Sequence, residues 1–522
     1  MRGDSYLITS FEGTEAPADV LRSISEDGVV AVTLFPHTNV ESAEQVAALT
    51  AKLHSASPDG LPLLVAADQE TGQLTGLGSD TTQFPGAMAL GAVGDPDLAR
   101  RVGEAVGTEM RALGVTVNYA PVCDVATNPD NPSLGIRAFS DDPGLVAELA
   151  AATIHGLKAA GVASTAKHFP GKGEAVVDPH HELPLLDLDR DRLDSVELVP
   201  FRAAISAGVS AFMIGHYALP SLTGSDDLPT SLSEAAVNGL LRRELGFDGV
   251  VMTDALDMKA LPQGVGQIVD AVAAIRSGVD LLLTTPDSEA QQRLRTGLDL
   301  AVARRLIEPD ATRRSRERVA RLRRWLAGFR RPGIEAVGSA AHRALAAEVA
   351  RRSVTLVRDD PPILPLRPAG RLLAVMPRPA DLTPADTSSV VPPLLATALR
   401  RHHPDVAEIV TGHPPSRQDI AAAADAAASA DAVVVGTITA GDEQAALVEA
   451  LLATGRPVVT VALRTPFDLA AYPGAGTHLC TYSILGPSMD ALADVLFGVE
   501  PARGTLPAAI PGLYPRGHGV TR

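Results

Sequence analysis

The stretch Lys167-His168-Phe169-Pro170-Gly171-Lys172-Gly173-Glu174-Ala175-Val176-Val177-Asp178-Pro179-His180-His181-Glu182 follows a mostly apolar run of strand length, Val162 to Ala166. Two glycines and two prolines in so short a span exclude a helix and make a shaped loop. Two lysines, three histidines, an aspartate and two glutamates fall within it. A loop this rich in titratable groups at the end of a strand is where a barrel enzyme keeps its chemistry. Only five of the 45 basic residues are lysines, and Lys167 and Lys172 are two of them. Arginine is the default cation here, so this pair reads as chosen hydrogen-bond donors; the plain alternative is two solvated lysines.

Outward from the loop, residues 1–285 alternate short apolar runs with helical stretches. The strand candidates are Tyr6–Phe11, Val29–Phe35, Leu63–Asp68, Thr116–Pro121, Val162–His168, Ala211–Tyr217, Gly249–Asp254 and Val279–Thr285. Segments of helical period, such as Glu44–His54, Asp97–Leu113 and Pro143–Ala160, lie between most of them. Continuous apolar strands alternating with helices predict a parallel sheet covered on its faces. Eight units point to a closed (β/α)₈ TIM barrel, with a doubly wound open sheet as runner-up. In a barrel the C-terminal strand ends open onto one face. Asp68, Lys167, His168, His216 and Asp254 would therefore converge, and the turn-rich Asn128-Pro129-Asp130-Asn131-Pro132 would lay Arg137 over the same mouth.

Ala311–Arg331 carries nine arginines and the only tryptophan, Trp325, before Pro332-Gly333 breaks it. It reads as a linker helix packed across the barrel. From residue 340 a second alternation begins: a helix at Ala340–Arg352, then strands near Val354–Val357, Arg371–Val375, Ala407–Val410, Ala432–Gly436, Pro457–Leu463 and His478–Ser483. The expected division is a barrel over 1–310, a linker over 311–339 and a smaller α/β layered domain over 340–522. The turn-rich Pro473-Gly474-Ala475-Gly476 is a candidate mouth loop.

Length and composition agree with two large domains, since 522 residues exceed one ordinary core. A hydrophobic content of 46% with 20% charged residues is that of a globular chain. The net charge of −17 argues against a nucleic-acid partner. Cys123 and Cys480 are the only cysteines and give no disulfide framework or zinc spacing. Adjacent His180 and His181 do not easily share one tetrahedral ion, and no His-Glu-x-x-His pattern occurs, so no metal is expected. Met1 to Ser5 lack the features of a secretory leader, and no apolar run spans a bilayer. The expectation is a cytoplasmic protein without a membrane partner or a cofactor; oligomeric state is left open.

Asp178 and His180 are separated by a proline. A carboxylate two residues away in a rigid turn fixes the imidazole's tautomer and raises its proton affinity, as a general acid/base near neutral pH requires. Asp254 leaves a buried strand on the same face. A carboxylate opposite an acid/base is the logic of retaining glycoside hydrolysis, here with histidine as the acid.

Lys167-His168-Phe169-Pro170-Gly171-Lys172-Gly173 followed by Asp178-Pro179-His180 resembles the signature of the glycoside hydrolase family 3 β-N-acetylglucosaminidases. Leu245-Gly246-Phe247-Asp248-Gly249-Val250-Val251-Met252-Thr253-Asp254 is similar to that family's nucleophile segment. Asp68-Gln69-Glu70-Thr71-Gly72, Ala120 to Val125 and Asn131 to Ser140 match in order and spacing. Arg351 to Val357 resembles the opening of the family's C-terminal α/β sandwich. The resemblance implies Asp254 as nucleophile, His180 as acid/base with Asp178 as its partner, and Asp68, Arg137, Lys167 and His168 as sugar ligands. It implies a small carbohydrate as substrate and terminal β-N-acetylglucosamine as the group removed. His216 and Lys172 are further pocket candidates, while Asp124, Asp248 and Asp257 read as structural caps or turn residues.

Three departures alter the pattern: Lys172 stands where the family carries a second histidine, Gln73 replaces an arginine, and Pro179 replaces a small hydroxyl residue. The first two change charge around the pocket. The alternatives carried are phosphorolysis at the same site, a β-glucosidase, and a non-catalytic sugar-binding protein.

Overall fold

A computed structural model describes residues 3–521. Eight strands form the barrel: β1 Leu7–Thr9, β2 Ala31–Thr33, β3 Leu64–Ala67, β4 Val117–Asn118, β5 Ala163–Phe169, β6 Ala211–Ile214, β7 Val250–Thr253 and β8 Leu282–Leu283. They pair in parallel in the order β8-β1-β2-β3-β4-β5-β6-β7, and a parallel bridge between Met252 and Leu281 closes the ring. Each lies inside a predicted apolar run except β5, which runs one residue past it to Phe169. The other ladders are shorter than the runs because the strand ends bend away into the connecting loops.

Alternation within the runs divides the barrel's two cores. Ile8, Ala31, Leu64, Ala66, Ala211, Met213, Val250, Met252, Leu281 and Leu283 fill the interior. Their neighbours Leu7, Val32, Val65, Phe212, Ile214, Val251 and Leu282 face the surrounding helices. Side chains on a strand alternate faces, and both faces here are apolar.

The arginine-rich segment forms the helix Pro309–Leu326. Its Val319, Leu322 and Leu326 join the interior cluster and close the barrel at the N-terminal strand ends. Its arginines hold acids and carbonyls at the strand feet. Arg323 binds Asp59 and the Leu61 and Pro62 carbonyls, whereas Arg318 and Arg321 bind Asp248. Asp248 is thus an anchor for this helix, at the end of the barrel opposite the mouth.

The second domain has six strands: β9 Thr355–Asp359, β10 Leu372–Pro377, β11 Val406–Thr411, β12 Ala432–Thr437, β13 Val458–Ala462 and β14 Thr477–Cys480. The sheet order is β9-β14-β13-β12-β10-β11, parallel except for the edge strand β9. Helices cover both faces, making an α/β sandwich. One face shares a core with the barrel's shell, and the other packs on the helices Leu395–Leu399 and Gly486–Leu496. Pro473–Gly476 is not a mouth loop. It precedes β14 at the N-terminal end of the parallel strands, where Arg358 of β9 binds the Pro473 and Ala475 carbonyls. Among the described residues no helix is long and apolar enough to cross a membrane.

Candidate active site

The segments leaving β3, β4, β5, β6 and β7 build the mouth. After β3, Asp68 leads into a short hairpin, Gln69–Thr71 with Leu74–Thr75, that turns Glu70 back toward the barrel. The turn needs Gly72, which has φ +65° and whose added Cβ would lie 2.9 Å from the Pro85 carbonyl oxygen. Lys167 Nζ lies 2.5 Å from both Asp68 Oδ1 and Glu70 Oε1. Arg137 grips Glu70 with two hydrogen bonds of 2.8 Å and donates through Nη1 to the Ser133 carbonyl. Burial pushes the Glu70 carboxyl up, but Arg137 and Lys167 outweigh it and hold the group at about 2.

Lys167 and His168 are sequence neighbours and would normally face opposite ways. The β5–β6 register jumps from Ala166 opposite Phe212 to Phe169 opposite Ile214, so one extra residue is accommodated between them. Such a bulge re-aims side chains, and both end in the same polar cluster. His168 Nδ1 donates to Asp124 Oδ2 (2.7 Å), while Nε2 lies 3.5 Å from Arg137 Nη2. Burial, then the charges of Lys172, Arg137 and Lys167, keep His168 well below its ordinary value and therefore neutral.

The loop after β5 is clamped from behind. Asp124 accepts from the Lys172 backbone N–H (2.8 Å), and Asn131 Nδ2 donates to the Lys172 and Gly173 carbonyls (2.8 and 3.0 Å). Gly173 runs against the β4 loop so closely that a Cβ there would sit 1.8 Å from the Val125 carbonyl oxygen. Lys172 Nζ reaches Ser133 Oγ at 3.3 Å, its one hydrogen bond among the described residues. Burial and the nearby Arg137 hold the Lys172 amine below its ordinary value, against the pull of Asp124, Asp254 and Asp178.

Further along, His180 Nδ1 donates to Asp178 Oδ1 (2.6 Å), which also accepts from the His180 backbone N–H (3.0 Å). Burial opposes charge on Asp178, yet the two hydrogen bonds and the charges of His180 and Lys172 hold it at about 2. The Pro179 carbonyl accepts from Ala260 N–H (3.1 Å), tying this loop to the one after β7. That loop begins with Asp254, whose Oδ1 accepts from Ala255 N–H (2.9 Å). Burial raises the Asp254 carboxyl, but the charges of His216, Lys172 and His180 prevail and keep it below the ordinary carboxylate range. His216 is buried next to it, with Nδ1 2.7 Å from Ser231 Oγ and Nε2 without a hydrogen-bond partner among the described residues.

The predicted residues thus gather at one mouth but in two layers. Asp68 and His180 each keep 27% of the side chain exposed, and Asp254 is partly buried. Lys167, His168, Arg137, Lys172 and His216 are buried behind them. Glu70, quoted only within a motif, proves to be the acid that pairs Arg137 and Lys167. Asp124, read as a turn residue, orients His168 and Lys172. Its signal was an acid inside an apolar strand end, which must find partners when buried.

Carboxylates, histidines and buried cations gathered at a barrel mouth, with a second α/β domain docked beside it, define a two-domain glycoside hydrolase. The chain belongs to glycoside hydrolase family 3: residues 10–322 match the Glycosyl hydrolase family 3 N terminal domain and residues 354–514 the C-terminal domain. Beta-hexosaminidase A of Pseudoalteromonas piscicida is 30% identical, with 95% of this chain and 92% of that protein aligned. A beta-hexosaminidase of Xylella fastidiosa is 36% identical over 53% of this chain and 82% of its own length. Among solved structures, a family 3 β-N-acetylglucosaminidase from Paenibacillus sp. str. FPU-7 superposes with a TM-score of 0.92 at 35% identity, covering 97% of this chain and 98% of that one.

Proposed function

We propose that this enzyme is a retaining β-N-acetylhexosaminidase that removes terminal β-N-acetylglucosamine from chito-oligosaccharides or peptidoglycan fragments, with the barrel of residues 1–310 as its catalytic unit. The observation that carries the reading is the Asp178–His180 pair set on the loop that Ala260 ties to the Asp254 loop. The names of the relatives from Pseudoalteromonas, Xylella and Paenibacillus support the sugar preference.

In the first half-reaction the Asp254 carboxylate attacks the anomeric carbon. Protonated His180 gives its Nε2 proton to the departing glycosidic oxygen, and Asp178 stabilises the cation through Nδ1–H. In the second, neutral His180 takes a proton from water, which attacks the same carbon and frees Asp254, so the β configuration is retained. Asp68, itself held by Lys167, accepts from sugar hydroxyls, while Lys167, Arg137 and His168 line the floor beneath the ring and hydrogen-bond the sugar. Hydrolysis of an aryl N-acetylglucosaminide well above the aryl glucoside tests the reading, and a fluorinated sugar should leave its adduct on Asp254. Faster glucoside cleavage, or an adduct elsewhere, would overturn it.

A second reading, phosphorolysis, is favoured by Lys172, a buried ammonium beside Asp254 with a single neutral partner. Adding phosphate and looking for the sugar 1-phosphate separates the two.

A further inference from the structure

A cavity of about 320 Å³ lies at the foot of the barrel, the end opposite the catalytic mouth. The segments that lead into β3 and β4 form one side of it. The end of the helix Pro309–Leu326 and the residues just after it form the other. Two guanidiniums, Arg111 and Arg331, line this cavity, and no carboxylate does. The chain as a whole carries a net charge of −17, so an uncompensated cationic hollow runs against its overall balance.

Other arginines at this end are matched by acids. Arg323 holds Asp59, Arg318 and Arg321 hold Asp248, and Arg242 holds Asp280. Arg111 and Arg331 instead meet backbone carbonyls. Arg111 Nη2 donates to the Phe329 carbonyl (2.8 Å), while its Nε is buried without a partner among the described residues. Arg331 donates through Nε to the Ala112 carbonyl (3.0 Å) and through Nη2 to the Ala47 carbonyl (3.2 Å). Arg111 is only 6% exposed, and a buried cation without a counter-charge is costly. Burial and then the Arg331 charge hold its guanidinium below the ordinary value. A bound anion would supply the missing charge and accept the spare N–H donors.

The remaining polar group of the wall, His54, is already committed. Its Nδ1 accepts from Leu63 N–H (3.1 Å), which leaves Nε2 to donate to the Gly114 carbonyl (2.8 Å), so a neutral ring uses both nitrogens. Burial holds His54 below its ordinary value; the Gly114 carbonyl opposes this, and the charges of Arg331, Arg111 and Arg323 add to it. Gly114 itself lets the arginine lie against the turn, since a Cβ there would sit 2.3 Å from Thr50 Oγ1 and 3.2 Å from Arg331 Nη1. The rest of the wall is apolar, with Leu61, Pro62, Leu326 and Phe329. We infer that this cavity binds a phosphate monoester, the phosphate between Arg111 and Arg331 and the organic part on that apolar wall. A phosphate monoester carries nearly two negative charges and takes paired N–H donors from each guanidinium. A carboxylate would leave one cation unmatched, and inorganic phosphate would leave the apolar wall bare. A bound ester would also fasten the segment of Phe329 and Arg331, which leads to the second domain, onto the helix Pro96–Ala112. The site shares no residue with the mouth and does not depend on which reaction is run there.

Calorimetric titration of phenyl phosphate into the full-length protein at fixed ionic strength tests the assignment. The wild type should bind it with a Kd below about 1 mM, and inorganic phosphate and benzoate about tenfold more weakly. Arg331→Met and Arg111→Met should each weaken phenyl phosphate by about tenfold or more, the loss of one charge-assisted contact. Arg331 is exposed and bonded to carbonyls, so its variant keeps the test open should Arg111→Met fail to fold; melting curves without ligand show which variants are folded. Lys172→Met, at the other end of the barrel, should bind within about twofold of wild type. A wild type that does not bind, or equal affinities for wild type and Arg331→Met, would overturn the inference. Binding lost in Lys172→Met but kept in Arg331→Met would put the phosphate at the mouth and overturn it as well. Inorganic phosphate or benzoate binding as tightly as phenyl phosphate would refute the monoester.

Discussion

Replacing Asp178 with asparagine keeps the size of the side chain and an oxygen for the His180 backbone N–H, but removes the charge beside the imidazole. The contact to be weakened is 2.6 Å from Nδ1 to Oδ1, with Asp178 5% and His180 27% exposed. With about 4 Å between the charge centres and an effective dielectric constant of about 20, the attraction is about 4 kcal/mol. Solvent at the open face of the imidazole takes away about half, leaving about 2 kcal/mol. At 1.36 kcal/mol per decade that is about 30-fold in any step that needs the imidazolium. The assay is kcat/KM at neutral pH for the disaccharide and for a dinitrophenyl N-acetylglucosaminide. The disaccharide value should fall about 30-fold, and the dinitrophenyl value by less than about threefold, because that leaving group departs without a proton. Turnover on the aryl substrate should slow with a burst of phenolate, since the second half-reaction still needs a base. An equal fall in both kcat/KM values would refute the proton role and make Asp178 a residue that only shapes the loop.

Three further outcomes follow from the same geometry. Asp254→Gly should lower turnover by more than about 10³, and azide should restore it with formation of the α-glycosyl azide; a β product would contradict attack by Asp254. Lys172→Met removes one of the three charges that hold Asp254 down, so the acid limb of the kcat/KM profile should move to higher pH; an unmoved limb would show that Lys172 does not act on Asp254. Glu70→Gln leaves Arg137 and Lys167 buried with less negative charge, at a cost of about 3–5 kcal/mol read by denaturant melts. Because Glu70 is depressed from 4.5 to about 2, its stabilisation is full above pH 4.5 and fades as pH falls through about 2. The variant should show a flatter acid-stability curve.

Much of the barrel was legible because each strand is an unbroken apolar run between helical segments, and such a run admits few other placements. The same continuity hid the register. Leu7 and Ile8 are equally apolar, yet one faces the helices and the other the interior. Asp68, Lys167, His168 and Asp254 stood out as polar residues at strand ends, and His180 by its spacing from Asp178. The pairing behind them did not, since Glu70 to Arg137 and Asp124 to His168 join segments 67 and 44 residues apart. Pro473–Gly476 was misplaced because turn-forming residues mark a bend without saying at which end of a sheet it falls.

The sequence by itself determined which residues are able to do the chemistry and that strands and helices alternate, since residue type and local period are properties of the chain alone. Tertiary structure decided how the chemistry is arranged. The bulge between Ala166 and Phe169 brings Lys167 and His168 to one side, and closure of the ring sets Asp254 and His180 within reach of each other's charge. Docking of the second sheet makes a cavity that neither domain holds alone. Distance in space between residues far apart in the chain is set by packing of whole elements, and no local pattern encodes it.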